Sequence, residues 1–434
     1  MIPSRRSYVL LSVGGLCAAI LDILIDRQVS LGFLRIYNFL LLVATIVDAS
    51  RVKSSALKIK REKIDRLSVG RDNQIKLKIK SGKQSAIALV RDHFPQFTVD
   101  QHTLKIDIPA NQTQYITYII HPDSRGEYEW GDIHLRQLGK LGLAWRDCII
   151  PAKQKVTIYP DLIGLKELAI RLKLENTGTM RQARRLGNGT EFAELREYAN
   201  GEDIRLIDWK ATARRYRPVV RVLEPEQEQT VIILLDRGRL MTARVNGLKR
   251  FDWGLNATLS LALAALNRGD KVGVAVFDRD ITTWIPPQRG NNHLSKLIDR
   301  LTPIQPVLLE PDYLGAVTNI ITQQTRRALV VLITDLVDAT ASSELLNAMS
   351  RLTPRYLPFC VTLKDPLIDN FSHTPSDQIK DIYGRAVALD LIAQRQVAFA
   401  QLKQQGVLVL DTPCDRVTQE LVDRYLQLKA RSLL

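Results

Sequence analysis

"TVIILLDRGRLM", residues 230–241, is a short, continuous apolar run that stops at an aspartate and gives way to arginine and glycine. Such a run fits a strand buried on both faces, as in a parallel sheet, better than one side of a solvated hairpin. Four more runs of this kind follow: "KVGVAVFD" (271–278), "ALVVLITDL" (328–336), "YLPFCVTL" (356–363) and "GVLVLDTP" (406–413). Helix-length stretches lie between them, among them "RFDWGLNATLSLALAALNRG" (250–269) and "DYLGAVTNIITQQTRR" (312–327). The alternation predicts a doubly wound α/β domain over residues 225–434.

Upstream the periodicity changes. From residue 52 to 158 it falls to two, in "IKLKIK", "TLKIDI" and "YITYII", with turn-prone "VGRDN", "KSGK" and "PDSRG" between the runs. This predicts an antiparallel all-β, sandwich-like module. His93, His102, His121 and His134 fall in it without metal-ligand spacing, so a spacer or docking role is expected. Residues 159–224 read as an exposed connector with some helix, followed by a charged segment. The cluster Arg181, Arg184 and Arg185 there is read as a solvated face.

The N-terminal 51 residues carry two apolar runs, "YVLLSVGGLCAAILDILI" (8–25) and "LGFLRIYNFLLLVATIVDA" (31–49). Each is long enough to cross most of a hydrocarbon layer about 30 Å thick. A transmembrane hairpin is expected, with a cleaved signal peptide or two buried soluble helices as the alternatives. Asp22 and Arg35 are expected at similar shallow depth on either side of the turn, paired or reaching to the interface. Arg5 and Arg6 precede the hairpin, and Arg51, Lys53, Lys58, Lys60, Arg61, Lys63 and Arg66 follow it. The positive-inside rule therefore puts both termini in the cytoplasm, at the inner membrane, and the same cations attract anionic lipid.

The chain has 434 residues and a formal charge of +15, part of which those flanking cations explain without nucleic acid. Its four cysteines form no CxxC or Cys/His cluster, so neither a zinc site nor a disulfide framework is indicated. GxxxxGK[ST], HExxH and GxSxG are all missing, and with them the marks of phosphate-loop ATPases, zinc proteases and common serine hydrolases.

Residues 189–218, "GTEFAELREYANGEDIRLIDWKATARRYRP", hold six acidic and six basic side chains around Phe192, Tyr198, Trp209 and Tyr216. Thr190 is expected to cap a short helix with Phe192, Leu195 and Ala199 on one stripe, stopped at Asn200-Gly201. Asp203 would start a second helix carrying Ile204, Ile207 and Ala211. Trp209 is expected to anchor the pair in a buried position, with Glu194, Asp203 and Asp208 pairing with Arg196, Arg205 and Arg214. The balanced charge lacks the one-sided footprint of a nucleic-acid groove.

This segment, with "RGEYEWGDIHLRQLGKLGLAWRD", "VTIYP", "IILLDRGRLM" and "VVLITDLVD", resembles the bacterial membrane proteins of domain-of-unknown-function family 58 over nearly the whole chain. The resemblance implies a C-terminal domain similar to von Willebrand factor type A domains and a MoxR-type AAA+ ATPase as partner. Type A domains often hold a divalent cation through Asp-x-Ser-x-Ser, a Thr and a later Asp. Here Gly238 and Leu240 stand at the serine positions, and Glu310 and Asp312 stand in the loop that should offer the Thr. Asp236 and Asp335 are kept. A degenerate site without metal or other cofactor is expected, in which the Arg237 or Arg239 guanidinium takes the cation's place.

The resulting expectation is a non-enzymatic, membrane-anchored protein-binding adaptor that acts with the ATPase on a client. Its candidate partner-binding residues are Arg237, Gly238, Arg239, Asp312 and Asp335 on the strand-end rim, and Glu197, Trp209 and Arg215 in the charged segment. The alternatives are a metal-dependent hydrolase using Asp236, Asp312 or Asp335, and a basic nucleic-acid-binding protein.

Overall fold

The computed structural model describes residues 2–431 except 53–56, 65, 83, 101–102, 184–190, 200–203, 225–228, 337–342 and 374–378. The chain divides into two compact units, Met1–Tyr159 and Pro160–Leu434.

The first unit begins with a short strand, β1 (Ile2–Pro3), and the helices α1 (Arg5–Leu24) and α2 (Arg27–Arg51). Both helices are long and apolar enough to cross a membrane. Their outward side chains, among them Leu16, Ile23, Ile36, Phe39 and Leu40, are exposed, which is the reverse of a pair of buried soluble helices. Ser4 caps α1 by accepting from the Arg6 and Ser7 amides, and Asp26 caps α2 by accepting from the Arg27 amide. Gly14 lets the helices approach, since a Cβ there would run into the Tyr37 ring. Ser30 Oγ donates to Ala18 O at 2.6 Å and Tyr37 OH to Leu10 O at 2.9 Å.

That register corrects one expectation. The break between the helices is only Ile25–Asp26, so Arg35 lies about 12 Å along α2 from Arg27 at roughly 1.5 Å per residue. It stands between the Leu10 and Ala18 levels of α1, whereas Asp22 is beside the turn, and the two do not share a depth.

The β module contributes β2 (Leu57–Arg61), β3 (Leu67–Ser68), β4 (Asn73–Ser81), β5 (Ala86–Asp92), β6 (Thr98–Val99), β7 (Leu104–Ile108), β8 (Thr113–His121), β9 (Gly126–Trp130), β10 (Ile133–Leu138), β11 (Ala144–Ile150) and β12 (Gln154–Tyr159). They form sheets in the orders β1-β11-β10-β5-β7, β2-β4-β8-β6 and β3-β12-β9. Strict alternation of buried and exposed residues along β4 gives that strand one core face. The first two sheets are joined through Asp92 of β5, which accepts from Arg61 Nε of β2 at 2.9 Å and from Tyr118 OH of β8 at 2.7 Å. Among the histidines, His121 pairs with Asp72 at 3.0 Å and the His93 and His134 rings lie 6.3 Å apart, while His102 falls outside the described residues.

The second unit opens with α3 (Leu162–Ala183), a longer helix than a connector leads one to expect; Arg184 and Arg185 lie outside the described residues. Then come β13 (Glu191–Glu197), α4 (Trp209–Arg215) and β14 (Val219–Glu224). The α/β region follows, with β15 (Thr230–Asp236), β16 (Arg244–Val245), β17 (Leu248–Lys249), α5 (Arg250–Asn267), β18 (Lys271–Phe277), β19 (Ile281–Gln288), α6 (Asn291–Leu301) and α7 (Tyr313–Gln323). It ends with β20 (Leu329–Thr334), α8 (Ser343–Ser350), β21 (Leu357–Lys364), α9 (Pro366–His373), α10 (Ile379–Gln404), β22 (Leu408–Pro413) and α11 (Val417–Ala430).

The main sheet has the order β19-β18-β15-β20-β21-β22 and is parallel except for β19, which pairs antiparallel with β18 at one edge. Ile232, Leu234, Val330 and Leu332 share one face with Val317 of α7, Met349 of α8 and Leu402 of α10. On the other face Leu235 and Ile333 approach Gly254 of α5. Each fully buried Leu, Ile or Val contributes roughly 1.5–3 kcal/mol. The sheet core therefore outweighs the charge pairs on its rim as a source of stability.

Candidate functional site

Four parallel strands of the main sheet carry an aspartate at or next to the carboxyl end, Asp236, Asp278, Asp335 and Asp365, and the fifth, β22, carries Asp411 two residues before its end. Parallel strands gather these ends on one rim, where α/β sheets usually bind ligands. Such a concentration of carboxylates requires compensation, and each is compensated differently.

Asp236, 1 % exposed, has both oxygens engaged. Oδ1 accepts from the Gly238 amide at 2.6 Å, and Oδ2 accepts from Thr334 Oγ1 at 2.6 Å and Tyr313 OH at 3.2 Å. Burial pushes its carboxyl up to about 6, against the pull of those three donors. The same burial, with the Asp236 charge beside it, raises the Tyr313 phenol.

Asp335 is held by cations. Its Oδ1 accepts from Arg395 Nη1 at 2.8 Å and the Leu336 amide at 2.8 Å, and its Oδ2 from Arg250 Nη1 at 2.6 Å. Arg250 also reaches Asp365 at 3.5 Å, and Arg395 reaches Asp411 at 2.7 Å. Burial works against the Arg395 charge, but Asp335 and Asp411 outweigh it and hold the guanidinium protonated.

The expected role of Arg237 and Arg239 is thereby corrected. Arg237 pairs with Asp278 at 2.6 Å and Arg239 with Glu310 at 2.6 Å. The guanidiniums beside Asp335 come instead from α5 and α10, whose side chains the chain folds back over the rim. Asp312 caps α7 by accepting from the Gly315 amide at 2.8 Å, and its own amide donates to Asp278 O at 2.8 Å. The structure thus places Asp236, Arg237, Gly238, Arg239, Asp312 and Asp335 on this rim. Thr334, Tyr313, Arg250 and Arg395 complete it. Their only sequence signal is the recurrence of Asp at the strand ends, which demands partners without naming them.

A divalent cation does not fit between Asp236 and Asp335 as they stand. Magnesium takes about six oxygens in a near-octahedral array, whereas the carboxylate oxygens here are already committed to hydroxyls, amides and two guanidiniums. The position of the missing serine is also closed. A Cβ on Gly238 would stand 2.9 Å from Leu309 O and 2.9 Å from Pro311 Cδ. Cys360 and Cys414 are buried thiols pushed up to about 12 by burial, the reverse of an activated nucleophile.

Glu197, Trp209 and Arg215 belong to a different element of this unit. The expected helix through Phe192, Leu195 and Ala199 is a strand: β13 pairs antiparallel with β14, with a register shift between Phe192 and Glu194. The β-branched run Val219, Val220 and Val222 supplies the partner, and pairing overrides a local pattern that suits either period. Thr190, Asn200-Gly201 and Asp203 lie outside the described residues. In place of the second helix start, a single 3-10 turn, Ile204–Leu206, leads to Asp208 as the cap of α4.

Asp208 staples the element. Its carboxylate accepts from the Lys210 amide at 3.1 Å, the Ala211 amide at 3.0 Å and Arg221 Nη2 at 2.6 Å, while its amide donates to Val219 O at 2.9 Å. The Arg221 hydrogen bond, helped by the Ala211 amide, holds the Asp208 carboxyl below the usual carboxylate range. Arg221, rather than Arg214, is therefore its partner, and Glu197 pairs with Arg217 at 3.1 Å. Trp209 is 67 % exposed, which overturns its expected role as a buried anchor. Tyr216 ends α4 in the left-handed region, φ 54°, and is 94 % exposed.

Residues 194–373 match the family model described as "Protein of unknown function DUF58". The match begins inside the charged segment and includes the rim as far as α9, a shorter span than the resemblance implies. An uncharacterized protein of Mycobacterium tuberculosis is 24 % identical over 336 residues, covering 73 % of this chain and 96 % of the relative. The uncharacterized protein YeaD of Bacillus subtilis is 21 % identical over 177 residues, covering 41 % of this chain and 42 % of its own. Among solved structures, the conserved hypothetical protein BatB from Bacteroides thetaiotaomicron aligns at 15 % identity and TM-score 0.33, covering 47 % of this chain and 99 % of that one. An aerotolerance-related membrane protein from Bacteroides fragilis aligns at 17 % identity and TM-score 0.31, with the same coverage of each.

Proposed function

We propose that this chain is a non-enzymatic, membrane-anchored adaptor. Its helical hairpin crosses the inner membrane twice and leaves the β module and the second unit in the cytoplasm, in keeping with the cations that flank it. The element built from β13, α4 and β14 docks a protein partner, a MoxR-type AAA+ ATPase that supplies the energy for remodelling a client. One observation carries the reading: Trp209 and Tyr216 stand exposed beside Arg214 and Arg215 on an element that Asp208 makes rigid. Tryptophan, tyrosine and arginine are the residues that most often dominate binding energy at interfaces, and a rigid display loses little entropy on docking.

The rim supports the same reading. Asp278, Asp335, Asp365 and Asp411 are paired with the chain's own arginines and Asp236 is held by an amide and two hydroxyls, so the rim offers fixed groups in place of a reactive one. The test is capture of the MoxR-type ATPase from the same organism by full-length protein in native membranes. Capture should fail for Trp209→Ala and Tyr216→Ala while the variants melt like the parent. Parental capture by both would move the partner surface to the rim around Arg237 and Asp312.

A further inference from the structure

We propose that the turn between β10 and β11, residues 139–143, is a second membrane-contact element that sits in the headgroup layer at the foot of the hairpin and, with the cations around it, binds anionic phospholipid. The proposal rests on the reading of α1 and α2 as membrane-spanning.

The turn is fastened to both helices. Asp48, near the end of α2, is 1 % exposed and accepts from the Leu141 amide at 2.8 Å, the Leu143 amide at 2.9 Å and the Ala144 amide at 3.4 Å. On the α1 side the Ser4 amide donates to Leu143 O at 2.8 Å, and the Ser4 and Ser7 hydroxyls donate to Gly142 O and Leu143 O. β1 pairs with β11 through Ile2–Trp145 and Pro3–Ala144, and Arg146 Nη1 donates to Val52 O at 2.7 Å. The turn therefore shares the depth of the hairpin's foot.

That depth is set by the sequence. Apolar residues begin at Tyr8 in α1 and end at Val47 in α2, so Ser7 and Asp48 mark the edge of the hydrocarbon. A carboxylate at that edge needs several donors, and two amides of the turn with the first amide of β11 provide them. Leu141 projects from the turn 57 % exposed, next to the exposed Lys140. Arg5, Arg6 and Arg51 stand exposed on the helix ends, and the Arg6 side chain packs over Gly142. The nearby carboxylate of Asp147 is taken by Arg136 at 2.6 Å. An apolar side chain between cations, continuous with a membrane anchor, is complementary to an anionic phospholipid surface.

The experiment uses the full chain with Cys17→Ser and Cys148→Ser, which removes the thiols that are not buried. A single cysteine, at Leu141→Cys or at Lys105→Cys on the opposite edge strand β7, carries an environment-sensitive fluorophore. The chain is reconstituted in phosphatidylcholine nanodiscs with and without phosphatidylglycerol. Doxyl-labelled lipid should quench the label at 141 several-fold more than the label at 105. Phosphatidylglycerol should strengthen quenching at 141, and Arg6→Gln with Lys140→Gln should abolish that gain. A label at 141 quenched only by aqueous iodide overturns the proposal, as does a phosphatidylglycerol effect unchanged in the double variant. Alkaline carbonate extraction separates the two readings. A chain stripped from membranes by carbonate sinks the spanning hairpin and the turn with it, whereas a resistant chain with an iodide-accessible label at 141 sinks the turn alone.

Discussion

Arg395 of α10 donates through Nη1 to Asp335 Oδ1 at 2.8 Å, so the carboxylate at the end of β20 is held by a side chain sixty residues further along the chain. Both groups are buried, and Arg250 holds the other oxygen. Truncating one partner leaves charge buried and uncompensated, which typically costs about 3–5 kcal/mol. Arg395→Ala should lower stability by that order in denaturant unfolding. Arg395→Met combined with Asp335→Asn should cost less than the sum of the two single changes, and strict additivity would mean that the pair is not coupled.

Restoring the metal-binding pattern should fail. Gly238→Ser places a Cβ against Leu309 O and Pro311 Cδ, each 2.9 Å away, and overpacking of this kind costs about 1–3 kcal/mol. Gly238→Ser with Leu240→Ser should melt lower than the parent, and millimolar magnesium should not recover the loss. Stoichiometric magnesium in a calorimetric titration of the double variant would refute the closed-site reading.

Stability should carry a signature of Asp236. Its folded-state value, about 6, lies above the ordinary 3.8, so the protonated form is favoured by folding. The contribution is fully present below the unfolded value and is lost as pH rises through about 6. Asp236→Asn does not titrate, so its stability relative to the parent should grow between about pH 4 and pH 7. The gain is on the order of 3 kcal/mol, since each tenfold change in proton affinity between the folded and unfolded chain is worth roughly 1.4 kcal/mol. A pH-independent difference in urea midpoints would contradict the burial of an ionised carboxylate.

Trp209 and Tyr216 should separate stability from binding. An exposed indole contributes little to folding, so Trp209→Ala should stay within about 0.5 kcal/mol of the parent. Tyr216→Gly relieves a left-handed backbone that costs a side-chain-bearing residue about 1 kcal/mol, and it should melt slightly higher. If the proposed docking role holds, both should fail to capture the proposed ATPase partner in pull-down. A large fall in melting temperature for Trp209→Ala would return the indole to a structural role.

In the β module, Tyr118→Phe removes one donor to Asp92 and should cost about 1–2 kcal/mol, while Asp92→Ala strands the buried Arg61 and should cost several times more. Burial together with the Asp92 charge pushes the Tyr118 phenol upward, so spectrophotometric titration of the folded chain should leave it un-ionised in the range where exposed tyrosines titrate.

Apolar runs were legible because burial leaves a compositional trace along the chain. The two N-terminal helices, the five parallel strands of the main sheet and the helices α5 and α7 all lie where hydrophobic patterning puts them, whereas the antiparallel edge strand β19 had no such run to announce it. Local pattern decides less where two periods fit equally. "EFAELRE" became a strand because β14 was available to pair with it, and among the described residues no core forms against the indole of Trp209. The acids of the rim were visible at the strand ends as single letters, but their partners were not. Arg250 and Arg395 meet Asp335 only once α5 and α10 have packed on opposite faces of the sheet, and Asp48 meets the 139–143 turn only once α2 lies against the paired strands β10 and β11. Burial is nearly additive along a sequence and can be read from it, whereas the pairing of charges depends on distances that exist only once the chain has closed.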